Sequence, residues 1–248
     1  MKKVLLTRPQ DDSESLAATL AARGWEALIE PMLDIVWLDG PIPDSAASQA
    51  LLFTSANGVR AFARRSAARD MPVLTVGRAS ADAARACGFI DVTSADGDAD
   101  ALARLVCERC DPARGPLLHV AGTVTAGDLS GLLTARGFTV ERAVLYEART
   151  AASLSAGAMA ALTNDQIAAV LFFSPRTART FVRLLADAGL AGRTQATVAL
   201  CLSKAVANAA RTSPDNQPGE TYAWRDVQVA EQPDLGALLA LLEGLRDI

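Results

Sequence analysis

Short, uninterrupted apolar runs alternate along almost the whole chain with segments in which apolar residues recur at helical spacing. A run too short for a helix and apolar throughout predicts a strand buried on both faces, and strands of that kind alternating with helices predict parallel sheets. On this pattern strands are expected over Lys3–Thr7, Glu26–Glu30, Ala50–Thr54, Val73–Gly77, Leu117–Ala121, Ala169–Phe173, Thr197–Leu202 and Val227–Ala230. Ala/Leu/Arg-rich helices are expected between them, among them Ser13–Arg23, Ala79–Cys87, Thr177–Ala188 and Leu235–Leu245. The fold class is α/β.

The pattern repeats. Leu51-Leu52-Phe53-Thr54-Ser55-Ala56-Asn57-Gly58-Val59-Arg60-Ala61-Phe62 lines up, 119 residues on, with Val170-Leu171-Phe172-Phe173-Ser174-Pro175-Arg176-Thr177-Ala178-Arg179-Thr180-Phe181. Arg78–Arg85 likewise matches Lys204–Arg211, and Asp98–Leu102 matches Asp234–Leu238. A further pair is out of order: Leu16 to Leu20-Ala21-Ala22-Arg23-Gly24-Trp25 near the start matches Leu129 to Leu133-Thr134-Ala135-Arg136-Gly137-Phe138. One copy is therefore expected to be inserted into the other. That predicts two similar parallel-sheet domains, Rossmann-like or flavodoxin-like: a discontinuous first domain of residues 1–33 and 153–248, and a continuous second domain of residues 45–145. Linker strands in 34–44 and 146–152 would cross between them as a two-stranded β hinge, with Asp34–Leu38 and Leu145–Arg149 the candidates, and a cleft of variable width is expected between the lobes. Gly219–Trp224, near the end of the polar run Ser213–Asp226, reads as an exposed loop of the first domain.

Composition narrows the function classes. Half of the 248 residues are apolar and 21% are charged, the proportions of a folded globular protein. With 24 basic and 28 acidic residues interspersed, the net charge of −4 offers no basic field for a nucleic-acid backbone. An anionic ligand must then be attracted locally, by arginines and helix N-termini. No stretch approaches the roughly 18 apolar residues of a membrane helix. Met1-Lys2-Lys3 leads straight into the short run Val4-Leu5-Leu6, whereas a signal peptide would need a longer apolar stretch and a small-residue cleavage site. The cytoplasm is the expected compartment, and the four cysteines fit free thiols there better than a disulfide framework.

Candidate chemistry sits where apolar runs end. Ser55 and Ser174 each close a strand and open a helix, the place where open α/β sheets bind ligands through hydroxyls and free N–H groups. Each could also be simply a helix cap. Gly77-Arg78-Ala79-Ser80 and Ser203-Lys204-Ala205-Val206 form the second such turn of each domain. A cation at a helix start opposes the helix dipole, so Arg78 and Lys204 either lean toward a bound carboxylate or are solvated surface charges. The Gly58 N–H, in the first turn after Ser55, is a further donor. The loop Ala121–Gly127 lacks Gly-x-Gly-x-x-Gly spacing, and no Gly-Lys-Ser/Thr follows a glycine cluster, which disfavours a bound nucleotide. Cys107 and Cys110 have Cys-x-x-Cys spacing, but with His119 as the one histidine they make no convincing zinc or redox site, and His119 itself reads as a packed residue of an apolar strand. Hydrolase and dehydrogenase chemistries lose their usual parts.

Five stretches together resemble one family from end to end. They are Leu6-Thr7-Arg8-Pro9, Phe53-Thr54-Ser55-Ala56-Asn57-Gly58-Val59, Val76-Gly77-Arg78-Ala79-Ser80-Ala81, Val144-Leu145-Tyr146-Glu147-Ala148 and Phe172-Phe173-Ser174-Pro175, and the family is uroporphyrinogen-III synthase. The resemblance implies a cofactor-free, metal-free lyase of haem biosynthesis and a monomer. Its substrate would be hydroxymethylbilane, a linear tetrapyrrole with eight carboxylates, closed to a ring with the last pyrrole inverted and water lost. It also implies that Ser55, Asn57, Ser80 and Ser174 lie at the rim of the substrate cleft and that Tyr146 assists departure of the hydroxyl. Position 80 is a serine where threonine is common, and an arginine common in relatives after the Leu117–Ala121 strand has no counterpart in Thr123–Asp128. Two other readings are a non-catalytic two-lobed module that binds an anionic ligand and a nucleotide-dependent enzyme on a Rossmann-like fold.

Overall fold

A computed structural model describes residues 2–43, 47–125, 127–212 and 222–247. Its strands are β1 (Lys3–Leu6), β2 (Glu26–Ile29), β3 (Leu33–Trp37), β4 (Ala50–Phe53), β5 (Val73–Thr75), β6 (Val92–Ser94), β7 (Leu117–Gly122), β8 (Val140–Thr150), β9 (Ile167–Phe172), β10 (Val198–Cys201) and β11 (Asp226–Val229). Its α-helices are α1 (Gln10–Ala22), α2 (Ala56–Arg65), α3 (Arg78–Ala86), α4 (Ala99–Arg109), α5 (Leu129–Thr134), α6 (Ala156–Thr163), α7 (Pro175–Asp187), α8 (Lys204–Arg211) and α9 (Leu235–Glu243).

The chain divides into two compact units, residues 1–34 with 149–248 and residues 35–148. The first holds a five-stranded sheet in the order β11-β10-β9-β1-β2, parallel throughout. The second holds a six-stranded sheet in the order β3-β8-β7-β4-β5-β6, parallel from β8 to β6. β3 and β8, which overlap the two segments expected to link the domains, are neighbours in that sheet. Taking β9 with β4, β10 with β5, β11 with β6, β1 with β7 and β2 with β8 gives one order for both sheets, with the N-terminal β1-α1-β2 standing where β7-α5-β8 stands in the insert. The out-of-order repeat is thus a topological permutation.

Both copies of Arg-Gly-aromatic end their helix the same way. Gly24 and Gly137 take φ of +74° and +87°, a left-handed turn that favours glycine. The Trp25 and Phe138 N–H groups then reach back to the carbonyls of Leu20 and Leu133 at 2.9 and 3.1 Å. The uniformly apolar runs behave as expected, since β4, β7 and β10 are buried along their whole length. Each sheet carries an apolar cluster on either face, around Phe172 and Phe181 or Leu6 and Leu200 in the first unit, and around Phe53 and Phe62 or Leu52 and Leu102 in the second.

Two local readings change. Val92–Ser94 pairs with β5 as a three-residue edge strand that its mixed sequence did not announce. Of the expected loop Gly219–Trp224, residues 219–221 lie outside the described residues, and of the remainder Ala223 is exposed while Tyr222 and Trp224 are partly buried and packed. Trp224 stacks on Phe181 and meets Phe172 edge-on while its indole N–H donates to the Ala210 carbonyl at 2.9 Å. The Tyr222 hydroxyl donates to the Val182 carbonyl at 3.0 Å. An amphipathic aromatic buries its ring and satisfies its polar atom locally, which a polar sequence neighbourhood conceals.

Candidate active site

In a parallel sheet the carboxyl ends of the strands meet helix N-termini, whose first N–H groups have no partner inside the helix. In the second unit β4 ends at Phe53 and the chain turns through Thr54 and Ser55 into α2. Ser55 is extended and caps the helix, its Oγ accepting the Asn57 N–H at 3.2 Å. Capping uses the oxygen and leaves the hydroxyl proton for a second partner. Asn57 is half-buried, with Oδ1 accepting from the Arg60 guanidinium at 3.1 Å. Gly58 is buried, and a Cβ there would come within 2.9 Å of the Val120 carbonyl oxygen on β7. Glycine therefore sets how closely α2 lies on the sheet.

The next turn runs from β5 through Val76 and Gly77 into α3. Gly77 has no side chain to cap the helix, yet its extended backbone does not require glycine and a Cβ would meet nothing within 4 Å. The result is an open helix start with the positive end of its dipole uncovered, a ready anion site. Ser80 is buried in the first turn, its N–H donating to the Gly77 carbonyl at 3.1 Å. Arg78 points outward with its side chain 84% exposed and its Nε 3.3 Å from Asp96 Oδ2. Asp96 is held below the ordinary carboxylate range, first by the Ser94 hydroxyl and then by Arg78. Exposed pairs of this kind are weak, so Arg78 can exchange Asp96 for another carboxylate at little cost.

Tyr146 owes its position to an irregularity. Along the β7–β8 pair Ala121 faces Val144 but Gly122 faces Tyr146, so β8 carries one extra residue. Simple alternation would send Tyr146 to the opposite face from Ala143 and Leu145; with the bulge all three join one apolar cluster. The residue is 8% exposed. Its ring lies against Gly122, where a Cβ would meet Cε2 and Cζ at 2.9 Å and the hydroxyl oxygen at 3.3 Å. The Thr123 N–H donates to the Tyr146 carbonyl at 3.0 Å, and Arg142 Nη2 donates to the Gly122 carbonyl at 2.6 Å. Among the described residues the Tyr146 hydroxyl has no hydrogen-bond partner. A phenol with a packed ring and a free O–H at a strand end can donate to a ligand oxygen.

The first unit repeats the capped turns. β9 leads through Phe173 and Ser174 into α7, with Pro175 at the first helical position and Ser174 Oγ accepting the Thr177 N–H at 3.2 Å. β10 leads into α8, where Ser203 Oγ accepts the Val206 N–H at 3.4 Å and Lys204 is exposed at the first helical position. Arg8, just past β1, stacks over the Phe173 ring at 4.9 Å and pairs with Asp12 at 2.9 Å. Arg176, in the first turn of α7, donates to the Thr150 hydroxyl at 3.2 Å.

Ser55, Asn57, Gly58, Gly77, Arg78, Ser80 and Tyr146 thus belong to the carboxyl edge of one sheet, and Ser174 and Lys204 to the carboxyl edge of the other. Sequence reasoning passed over Arg8, Arg176 and Arg142. The first two stand within a few residues of a strand end, a usable signal. Arg142 lies inside β8, and nothing in its neighbours marks that its side chain reaches the end of β7. His119 is 2% exposed with both ring nitrogens unpartnered among the described residues, and burial, with Arg142 second, lowers its pKa to about 4. It is a packed residue, not a base. Among the described residues no group of three or more His, Cys, Asp or Glu could hold a metal ion, and no helix is long and apolar enough to cross a membrane.

Fold and site together define a two-unit α/β protein whose parallel-stranded sheets each carry helix N-termini and basic residues at their carboxyl edges. The chain belongs to the uroporphyrinogen-III synthase family: the family described as Uroporphyrinogen-III synthase HemD matches residues 14–240. The fold is that of the uroporphyrinogen-III synthetase from Helicobacter pylori, with a TM-score of 0.60 at 16% identity over 99% of this chain and 100% of that one. A mutant uroporphyrinogen III synthase from the extremely thermophilic bacterium Thermus thermophilus aligns with a TM-score of 0.52 at 17% identity, over 100% of this chain and 99% of that one. No curated protein matches in sequence.

Proposed function

We propose that this chain converts hydroxymethylbilane to uroporphyrinogen III, acting as a cyclising hydro-lyase, as a monomer in the cytoplasm. The observation that carries the reading is Tyr146: a packed ring with an unpartnered hydroxyl at the carboxyl edge of a sheet whose neighbouring turns are rich in donors. The substrate's carboxylates are taken up by N–H groups and hydroxyls at the Ser55 and Gly77 turns in one unit and the Ser174 and Ser203 turns in the other, with Arg78 and Lys204 as cations. Holding a flexible chain so that its ends meet is itself a large part of catalysis.

The Tyr146 O–H donates to the terminal hydroxyl as its carbon–oxygen bond breaks, so that the oxygen leaves as water and a pyrrole nitrogen lone pair stabilises the cation as an azafulvenium. The substituted carbon of the far ring attacks it to give a spiro intermediate. That intermediate fragments, the last ring recloses in the inverted sense, and loss of a ring proton restores aromaticity. Carbon–carbon bonds form without net oxidation, so the reading uses no metal or organic cofactor. The test is to mix purified protein with freshly made hydroxymethylbilane and separate the product isomers. An excess of isomer III over the spontaneously formed isomer I is expected; isomer I at the uncatalysed rate, with tight binding of the substrate, would instead favour a binding module without chemistry.

A further inference from the structure

The second unit has a pocket of about 410 Å³ at the amino edge of its sheet, remote from the turns at the carboxyl edge. It is built where Gln49, Pro72 and Asp91 precede β4, β5 and β6, and where Arg109 and Cys110 end α4 and Arg114 precedes β7. Because β4 to β7 are parallel, these residues share one end and the candidate active-site residues the other. The reaction proposed above uses none of them.

The wall is shaped rather than loose. The Gln49 side chain donates to the carbonyls of Asp111 and Gly115 at 2.9 and 2.7 Å and accepts the Asp111 N–H at 3.1 Å, tying the turn that carries Arg114 to the start of β4. Pro72 and Leu74 are apolar members of a mostly polar lining, Pro72 exposed and Leu74 3% exposed. Among the described residues Arg109 and Arg114, both exposed, have no acidic partner, and Asp91 is the one carboxylate in the lining. Two guanidinium groups against one carboxylate leave a positive pocket of small-ligand size, and guanidinium is suited to two-point pairing with a carboxylate.

We propose that this pocket is a binding site for a small organic carboxylate, its acid group held by Arg109 and Arg114 and its apolar body on Pro72 and Leu74. Cys110 is among the residues that line the pocket, whereas Cys107, one turn earlier on α4, is exposed and outside the lining, so the two serve as probe and internal reference. The experiment uses the whole protein with benzoate as probe and benzamide as its neutral control. Iodoacetamide labelling is followed at each cysteine by peptide mass mapping. Benzoate is expected to slow labelling of Cys110 saturably, by at least about threefold, with Cys107 unchanged and benzamide without effect. Protection should vanish in the Arg109→Gln/Arg114→Gln double variant and strengthen in Asp91→Asn, which removes the like charge. Both arginines are exposed, and circular dichroism confirms that the variants are folded. The proposal is overturned by equal slowing at both cysteines, by equal protection from benzamide, by protection that survives in the double variant, or by no protection at any concentration that keeps the protein folded. Isomer III formation is not the readout, so the result is independent of the activity assigned to the carboxyl edge.

Discussion

At the scale of single residues the decisive pair is Tyr146 and Gly122. Tyr146→Phe keeps the ring and its packing but removes the donor; general acid assistance is worth on the order of 10²–10⁴-fold, and a fall in isomer III formation of at least about tenfold is expected in a folded protein. Gly122→Ala reaches the same chemistry from the other side, because the new Cβ would lie 2.9 Å from two ring atoms and must displace the ring or the end of β7. If it acts by misplacing the hydroxyl, it should lower turnover in the wild-type background and add little in Tyr146→Phe, a non-additivity read from the four rates. A wild-type rate and isomer ratio in Tyr146→Phe would leave preorganisation as the source of catalysis. His119 gives a prediction of a different kind. Its folded pKa of about 4 lies below the value near 6.5 of an unfolded histidine, so below pH 6.5 the unfolded chain takes up a proton that the folded chain refuses. Stability is therefore full above pH 6.5 and lost as pH falls toward 4, by about 2 kcal/mol at pH 5 from this group alone. His119→Leu removes that loss and two unpartnered buried nitrogens, so urea unfolding at pH 5 should show it more stable than wild type by roughly that amount, with a smaller gain at pH 7. An unchanged pH dependence would mean that the imidazole finds a partner.

At the scale of elements the strand-to-helix turns serve folding and binding at once, and the two roles separate by magnitude. Ser55 and Ser174 are N-caps, so each change to alanine should cost about 1 kcal/mol of stability, seen as a lower unfolding midpoint. In the proposed site, backbone N–H groups supply most of the contacts, so each single variant should weaken substrate binding modestly and the double variant more, with turnover still measurable well below the unfolding midpoint. Complete loss of turnover from either serine in a folded protein would sink the shared-contact picture. These turns were legible in the sequence because the strands before them are apolar on both faces and end abruptly at a hydroxyl residue, as with Phe53 before Ser55. The permuted copy was legible for a related reason, since Arg-Gly-aromatic marks a left-handed helix end wherever it occurs. What stayed hidden depends on register. The repeat puts Tyr146 in a linker strand but only resemblance gives it a role, because a bulge that turns a strand residue to the other face leaves no trace in alternation. Arg142 was missed since its reach to the Gly122 carbonyl depends on which strand lies beside β8. The edge strand Val92–Ser94 is too short and too mixed to carry a pattern, and Trp224 lay inside a polar run.

At the scale of the molecule the insertion is a statement about where two chains could be cut. Residues 35–148 form a continuous unit with apolar clusters on both faces of its sheet, and a body of about a hundred residues with its own core is of a size that folds alone. The ends to be severed are close in each unit: the Ala151 N–H donates to the Met32 carbonyl at 3.1 Å, and the Leu38 N–H donates to the Leu145 carbonyl at 2.9 Å. Bringing together ends that already touch costs little beyond the closure entropy of a short loop. We therefore expect two independent proteins from one sequence. The fragment 33–150, which keeps β3 and β8 whole, should unfold cooperatively on its own. The complementary chain, with Met32 joined to Ala151 through two or three glycines, should do the same. Each would be followed by circular dichroism in urea, with coincident near- and far-ultraviolet transitions as the sign of a packed core. Neither piece should form isomer III, since the proposed donors are divided between the units, with Tyr146 in one and Ser174 and Lys204 in the other. A fragment 33–150 that is molten, with far-ultraviolet signal but no cooperative near-ultraviolet transition, would show that the second unit borrows its packing from the first and that the repeat is one of sequence and topology but not of folding.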